Sequence, residues 1–179
     1  FVACDPATKK YHIGDSCLIS PRMDVAAFIR ARFLPLAERI SRRFGYSTIL
    51  YARSGYDAVC VERLDGWHPI QVFLNKTGDR RPLGMGSATL SILAAMPEDE
   101  AEMILTHNEQ EIRFVLKTDF SALRGFLAEA RRKGYASAQG MLLEGTIGVS
   151  HVLRMGNEAV GSIAIDAVRS EQWDKDQPK

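Results

Sequence analysis

Residues 78–97, GDRRPLGMGSATLSILAAMP, join a glycine-broken loop directly to an apolar helix-forming segment. The first amides of a helix have no intrahelical acceptor and sit at the positive end of its dipole. With Gly86 before them and only Ser87 and Ala88 over them, the amides of Ser87, Ala88 and Thr89 are open to a small anion. Charge-assisted hydrogen bonds are worth roughly 1.5–3 kcal/mol each, so two or three would hold a carboxylate in the micromolar range. The same residues have a plainer reading, in which Gly84 and Gly86 only let the chain turn and Ser87 caps the helix; spacing alone does not separate the two. Asp166 is the second candidate. In an otherwise apolar strand it either meets a cation or a ligand hydroxyl, keeps its proton through desolvation, or lies at the sheet's end beside solvent, the position expected from the strand exit at residues 168–171.

Other groupings carry less chemistry. Ser87, His151 and Asp166 are by type a nucleophile, a base and an orienting acid. No G-x-S-x-G elbow surrounds the serine, however, and His151 lies in an apolar strand where a satisfied core histidine is expected. Arg80 and Arg81 precede glycines, but the Lys-Ser/Thr ending of a phosphate loop is absent. Cys4, Cys17 and Cys60 are too few and too scattered for a metal site or a disulfide framework, and are read as thiols in a reducing cytoplasm. No catalytic residue, metal site or cofactor is assigned, and the expected role is that of a sensor, not an enzyme.

The elements that must position these residues follow from pattern. The chain has 179 residues, 46% of them hydrophobic, with a formal net charge of +1, which suits one globular domain and gives no general attraction to nucleic acid or anionic membrane. Residues 1–54 are distinctly basic, and the rest is slightly acidic. No apolar stretch is long enough to span a bilayer. Residues 1–14, FVACDPATKKYHIG, read as strand, turn (Asp5-Pro6-Ala7-Thr8), strand. A hairpin with no other strand to lie on is marginal, which predicts an upstream segment. Apolar residues three or four apart from Asp24 to Phe44 predict an amphipathic helix that Pro35 kinks or divides and Gly45 stops. Strands are expected at 46–53, 58–64 and 69–74, with Asp65-Gly66 as a hairpin turn between the last two. Helices follow at 86–95, 97–107 and 121–133, the last capped by Thr118 or Asp119, and then strands at 135–139, 147–153 and 159–168. In the last strand Ile163 and Ile165 should face a core, and Ser162, Ala164 and Asp166 a cavity. Strands, helices and strands again, without alternating βα units, give an α+β fold with an antiparallel sheet.

In this order of elements, FLPLAERISRRFGYS, AVCVERLDGWHP, GDRRPLGMGSATLSILAAMP, LAEARRKGYA and EGTIGVSHVLRMGNEAVGSIAI resemble the effector-binding domain of IclR-type bacterial transcriptional regulators, from about Leu34 to Asp166. The resemblance implies a GAF-like curved antiparallel sheet with helices on one side, a pocket on the other and an N-terminal linker helix. It divides the chain into a remnant of a winged helix-turn-helix wing (1–22), a linker helix (23–45), the effector-binding domain (46–170) and a tail (171–179). It also implies a pocket lined by Gly86, Ser87 and Ala88, by Ile70 and Phe73, and by Ala138, Thr146, Gly148, Ala164 and Asp166. Several relatives carry an acid, a cysteine, a serine and a histidine where this chain has Ala138, Gly148, Ala164 and Gly84. A wider, less polar pocket and an aromatic or hydroxyaromatic acid are therefore expected.

The partners so implied are a small organic acid and further copies of the chain, as dimer or tetramer. DNA would be bound only through the N-terminal winged helix-turn-helix, and no membrane is involved. A GAF-like sensor serving another signalling output, a small hydrolase and a ligand-free assembly domain are the competing readings.

Overall fold

The computed structural model describes residues 2–4, 8, 10–13, 21–72, 74–116, 120–170 and 173. Two short strands, β1 (Val2–Cys4) and β2 (Tyr11–Ile13), pair antiparallel at the amino end. The turn residues Asp5, Pro6 and Ala7 expected between them lie outside the described residues. A 24-residue helix, α1 (Pro21–Phe44), follows. Pro35 does not divide it, contrary to expectation. The carbonyl left without a donor belongs to Ala31, which is exposed along with Pro35, so water can satisfy it. The helix stops at Gly45, whose positive φ of 76° lets its amide bond back to the Ser41 carbonyl at 2.8 Å.

The remaining elements are β3 (Ser47–Ser54), β4 (Asp57–Leu64), β5 (Arg80–Pro82), α2 (Ser87–Ala94), α3 (Glu98–Leu116), α4 (Phe120–Lys133), β6 (Ala136–Gln139), β7 (Thr146–Met155) and β8 (Glu158–Val168). The last six strands form one curled antiparallel sheet in the order β5-β4-β3-β8-β7-β6, an α+β architecture as the sequence predicts. Helix α3 runs nine residues past the expected end at His107, because its apolar spacing continues through Ile112 and Leu116. The candidate caps Thr118 and Asp119 lie outside the described residues.

Helices cover both faces of the sheet, not one. Ile29 and Ala37 of α1 pack on Leu50, Ala52, Val61, Leu153, Val160 and Ile163. On the opposite face α2, α3 and α4 bury Ile92, Leu93, Ile104, Leu105, Ile112, Leu123 and Leu127 against Ile49, Tyr51, Cys60 and Ala164. Strand β8 accordingly shows core on both sides, with Ile163 toward α1 and Ala164 toward α2, and only its carboxyl end reaches a cavity.

The Asp65-Gly66 hairpin is not formed, and residues 69–72 and 74 are not strand. The chain instead folds back over the end of α1. Gly45 O accepts from the His68 amide at 2.8 Å and from Gln71 Nε2 at 3.2 Å, and Trp67 Nε1 donates to Arg42 O at 2.9 Å. Gly66 serves close approach rather than positive φ: a Cβ there would stand 1.9 Å from the Gly45 carbonyl oxygen. The neighbour that β4 was expected to find at 69–74 is supplied by β5, with Asp57 opposite Pro82.

Two glycine replacements should therefore act in opposite directions. Gly66→Ala drives a Cβ into backbone that cannot retreat and is expected to destabilise the protein by more than about 2 kcal/mol. Gly125→Ala, on the exposed side of α4 with nothing within 4 Å, should stabilise it by about 0.5–1 kcal/mol. Urea midpoints of the two variants against the parent measure both.

Candidate functional site

Helix α2 starts at Ser87 after Gly86, which takes φ 93° and ψ 167°, and no side chain hydrogen-bonds its first amides. Ser87 is thus the first helical residue and not a cap, while Gly84 and Gly86 both take the positive φ of a turn. Every residue from Ser87 to Leu93 is buried, so the unsatisfied amides open into the protein and not into bulk water. The Ser87 carbonyl accepts a 2.7 Å hydrogen bond from Ser150 Oγ of β7, which pins the first turn against the sheet.

In front of those amides lies a small pocket of about 20 Å³, room for roughly one water molecule. Seven of the ten residues expected to line it do so: Gly86, Ser87, Ala88, Ala138, Thr146, Gly148 and Asp166. Ile70 does not, being 58% exposed in the irregular segment after Gly66. Ala164 does not either; it is buried in the core between β8 and the helices. Phe73 lies outside the described residues, although its neighbours Val72 and Leu74 line the pocket.

The residues that pattern missed are the informative ones. Tyr51, Arg81, Met141, Leu142 and Ile147 complete the lining together with Val72 and Leu74. Tyr51 is 1% exposed, and its phenol oxygen has no hydrogen-bond partner. Burial pushes that phenol well above its ordinary range, against the pull of Arg81. Arg81 follows Arg80 on a strand, so the two point to opposite faces. Arg80 goes outward to Asp57 at 3.0 Å, and Arg81 goes inward, donating to Asn75 Oδ1 at 2.5 Å and to Leu74 O at 3.3 Å. Its Nη1 lies 3.5 Å from where a Cβ on Gly86 would stand. No strand was expected at Arg80–Pro82, so the sequence carried no alternation from which the inward turn of Arg81 could be read.

The expected wide, apolar pocket is corrected on both counts. The space that Ala138 and Gly148 leave is occupied by the protein itself. A Cβ on Gly148 would stand 2.6 Å from Ser87 Oγ and 2.9 Å from Asp166 Oδ1, and one on Gly86 would stand 2.9 Å from Leu142 Cδ1. Gly84 is not at the pocket at all; its missing side chain makes room for Ile112 and Leu105 of α3. Asp166 is not at a solvent-facing end. It is partly buried in the pocket wall, and burial pushes its carboxyl up to about 6, against Arg81 and then Arg63.

The Ser87–His151–Asp166 grouping is not assembled. Ser150 faces α2, so His151 points from the other side of β7, where it is exposed rather than in a core as expected, with Nδ1 2.8 Å from Val152 O. Among the described residues there is no cluster of metal-ligating side chains, and no helix is long and apolar enough to cross a membrane.

The fold is that of solved bacterial transcriptional regulators. The IclR of Thermotoga maritima superimposes with a TM-score of 0.70 at 22% identity, over 98% of this chain and 73% of that one. An IclR family transcriptional regulator from Brucella abortus gives 0.64 at 22% identity, over 93% of this chain and 63% of that one. An IclR homolog from Microbacterium hydrocarbonoxydans, crystallised as a complex with 4-hydroxybenzoate, gives 0.63 at 24% identity, over 94% and 69%. In sequence the chain is similar to the HTH-type transcriptional regulator KipR of Bacillus subtilis strain 168, 27% identical over 92 residues, or 51% of this chain and 35% of that protein. It thus spans about a third of KipR. The bacterial transcriptional regulator IclR C-terminal family matches residues 24–176, and the chain belongs to that family. The relatives named are transcriptional regulators rather than enzymes.

The Asp166 carboxyl has a consequence for stability. Unfolding returns it from about 6 to its ordinary value of 3.8, so the folded protein holds its proton to higher pH than the unfolded chain. Its unfavourable contribution is absent below pH 4, grows as pH rises to 6, and is complete above, at most about 3 kcal/mol. Asp166→Asn should therefore be more stable than the parent at pH 7 and equal to it near pH 4, as read from denaturation curves at the two pH values.

Proposed function

We propose that residues 46–170 form the effector-binding domain of an IclR-family regulator, and that the pocket at the start of α2 takes a small organic acid. The observation that carries this is the buried, unpartnered Tyr51 hydroxyl: Tyr51 lines the same small pocket as the uncapped start of α2 and Arg81. Polar groups left without partners on two separate elements, with a guanidinium on a third lining the same space, are arranged for a polar guest. In this reading Ser87 and Ala88 present their amides to the acid group, Arg81 supplies the positive field, and Tyr51 and Asp166 meet a ligand hydroxyl. Ala138, Thr146 and Gly148 form the wall. The homolog crystallised with 4-hydroxybenzoate supports an aromatic or hydroxyaromatic acid as the guest.

As it stands the pocket is too small for such a molecule. Met141 and Leu142, which close it, sit on a turn between Gly140 and Gly145, both with positive φ. Entry of a ligand moves that turn outward. The water-sized volume also favours a second reading, a domain that assembles without any ligand. The wider proposal follows the family. DNA is bound by a winged helix-turn-helix to which residues 1–22 and the linker helix 23–45 connect, copies of the chain associate as dimer or tetramer, and the protein works in the cytoplasm.

Calorimetry and thermal shift with benzoate, 4-hydroxybenzoate, pyruvate and glyoxylate test the sensing role. Micromolar binding of the aromatic acids with a raised melting temperature, and weaker binding of the two keto acids, is the expected result. Ala88→Leu, which fills the space before the amides, should abolish that binding while overpacking destabilises the fold by roughly 1–3 kcal/mol. Unchanged affinity in this variant, or no binding of any of the four acids to the parent, leaves only the assembly role.

A further inference from the structure

The pocket just described contains a charge conflict. The point 2.6 Å from Ser87 Oγ and 2.9 Å from Asp166 Oδ1, where a Gly148 side chain would begin, shows that the hydroxyl at the start of α2 and the carboxylate of β8 converge. Asp166 therefore lines the same pocket as the start of α2. The charged and titratable groups that face it are Arg81 from β5, Arg63 from β4 and Tyr51 from β3. Helix α2 adds amides and the Ser87 hydroxyl, and β7 adds Gly148, which has no side chain. Both guanidinium groups are committed elsewhere: Arg81 to Leu74 O and Asn75 Oδ1, Arg63 to Asn75 O and Asp65.

A ligand carboxylate placed on the α2 amides would put a second negative charge in the same small pocket as the first, with Arg81 as the lining cation. Two carboxylates so placed do not both stay ionised; one takes a proton. We infer that Asp166 is the specificity-determining group of the pocket, which accepts a singly charged carboxylic acid together with one proton and discriminates against doubly charged acids. This rests on the proposal that the pocket binds an organic acid. It also accounts for a partly buried acid, with no ion pair among the described residues, in the wall of a pocket that a helix start lines. Burial already brings the Asp166 carboxyl to about 6, so the proton is available within the ordinary pH range.

Benzoate, which stays ionised throughout, and phenylphosphonate, of similar shape but with a second charge at neutral pH, are the probes. Each is titrated calorimetrically into the parent and into Asp166→Asn between pH 5.5 and 8, in two buffers of different ionisation heat. For the parent, benzoate affinity is expected to be flat below about pH 6 and to fall roughly tenfold per pH unit above it, with about one proton taken up per ligand at pH 7. In Asp166→Asn the proton uptake and the pH slope vanish, and phenylphosphonate gains on benzoate. Benzoate binding to the parent with no proton uptake overturns the role of Asp166 and leaves the pocket standing. No benzoate binding to either protein at any pH overturns both. The two-buffer measurement on the parent decides the point even if the variant fails to fold.

Discussion

A helix that is buried from its first residue must find acceptors for its leading amides inside the protein, and α2 has none of its own. Gly86 offers no side chain, Ser87 does not turn back to cap, and the whole first turn is shut away from water. The rest of the molecule is arranged around that deficit. Gly86 and Gly148 keep the space before the amides clear of Cβ atoms, Ser150 fixes the turn by its carbonyl, and β5 swings Arg81 into place as the nearby positive charge. Leaving such a helix end unsatisfied costs free energy comparable to lost hydrogen bonds. Its retention beside an unpartnered Tyr51 hydroxyl is the strongest physical argument that the site is meant to be filled.

Strand β3 is the wall between that site and α1. Leu50 and Ala52 face α1, while Ile49 and Tyr51 face the pocket layer. The pairing of β3 with β4 slips at this point: Leu50 opposes Glu62 and Tyr51 opposes Cys60, which leaves Val61 unopposed. A bulge of this kind re-aims side chains on both strands. Here Val61 packs against α1, and Glu62, across from Leu50, accepts from Arg30 of α1 at 2.9 Å, one residue along β3 from the tyrosine whose hydroxyl lines the pocket. A guest that engages Tyr51 thus acts on a strand whose other face, and whose bulged neighbour, are held by α1.

Local chemistry was legible in the sequence wherever short-range pattern decides structure. The helix stops at Gly45 and Gly134, the β3–β4 turn at Gly55, the glycine-led start of α2 and the alternation along β8 all follow from residue type and spacing. What could not be read there depends on contacts distant in sequence. Asp65-Gly66 carries a hairpin pattern, yet Gly66 is needed for backbone contact with Gly45, twenty-one residues earlier, and that contact overrides the turn preference. Residues 69–74 have strand-like composition, but their hydrogen bonds go to the end of α1 through Gln71 and His68, so Ile70 faces outward. Tyr51 and Arg81 were missed because neither sits in a motif. Their function, if the site is filled, comes from the sheet register that brings them to the pocket.

The small volume of the pocket and the polarity of its wall belong together. Had Ala138 and Gly148 opened a roomy apolar cavity, a helix start facing it would meet neither water nor polar side chains, and its amides would be stranded at full desolvation cost. By letting Ser87 and Asp166 approach instead, Gly148 keeps polar groups at hand in the pocket. Met141 and Leu142 complete the wall with apolar side chains that leave no polar group to satisfy. An acceptor brought into this space would meet leading amides that no side chain caps, which a neutral apolar molecule of the same size cannot do.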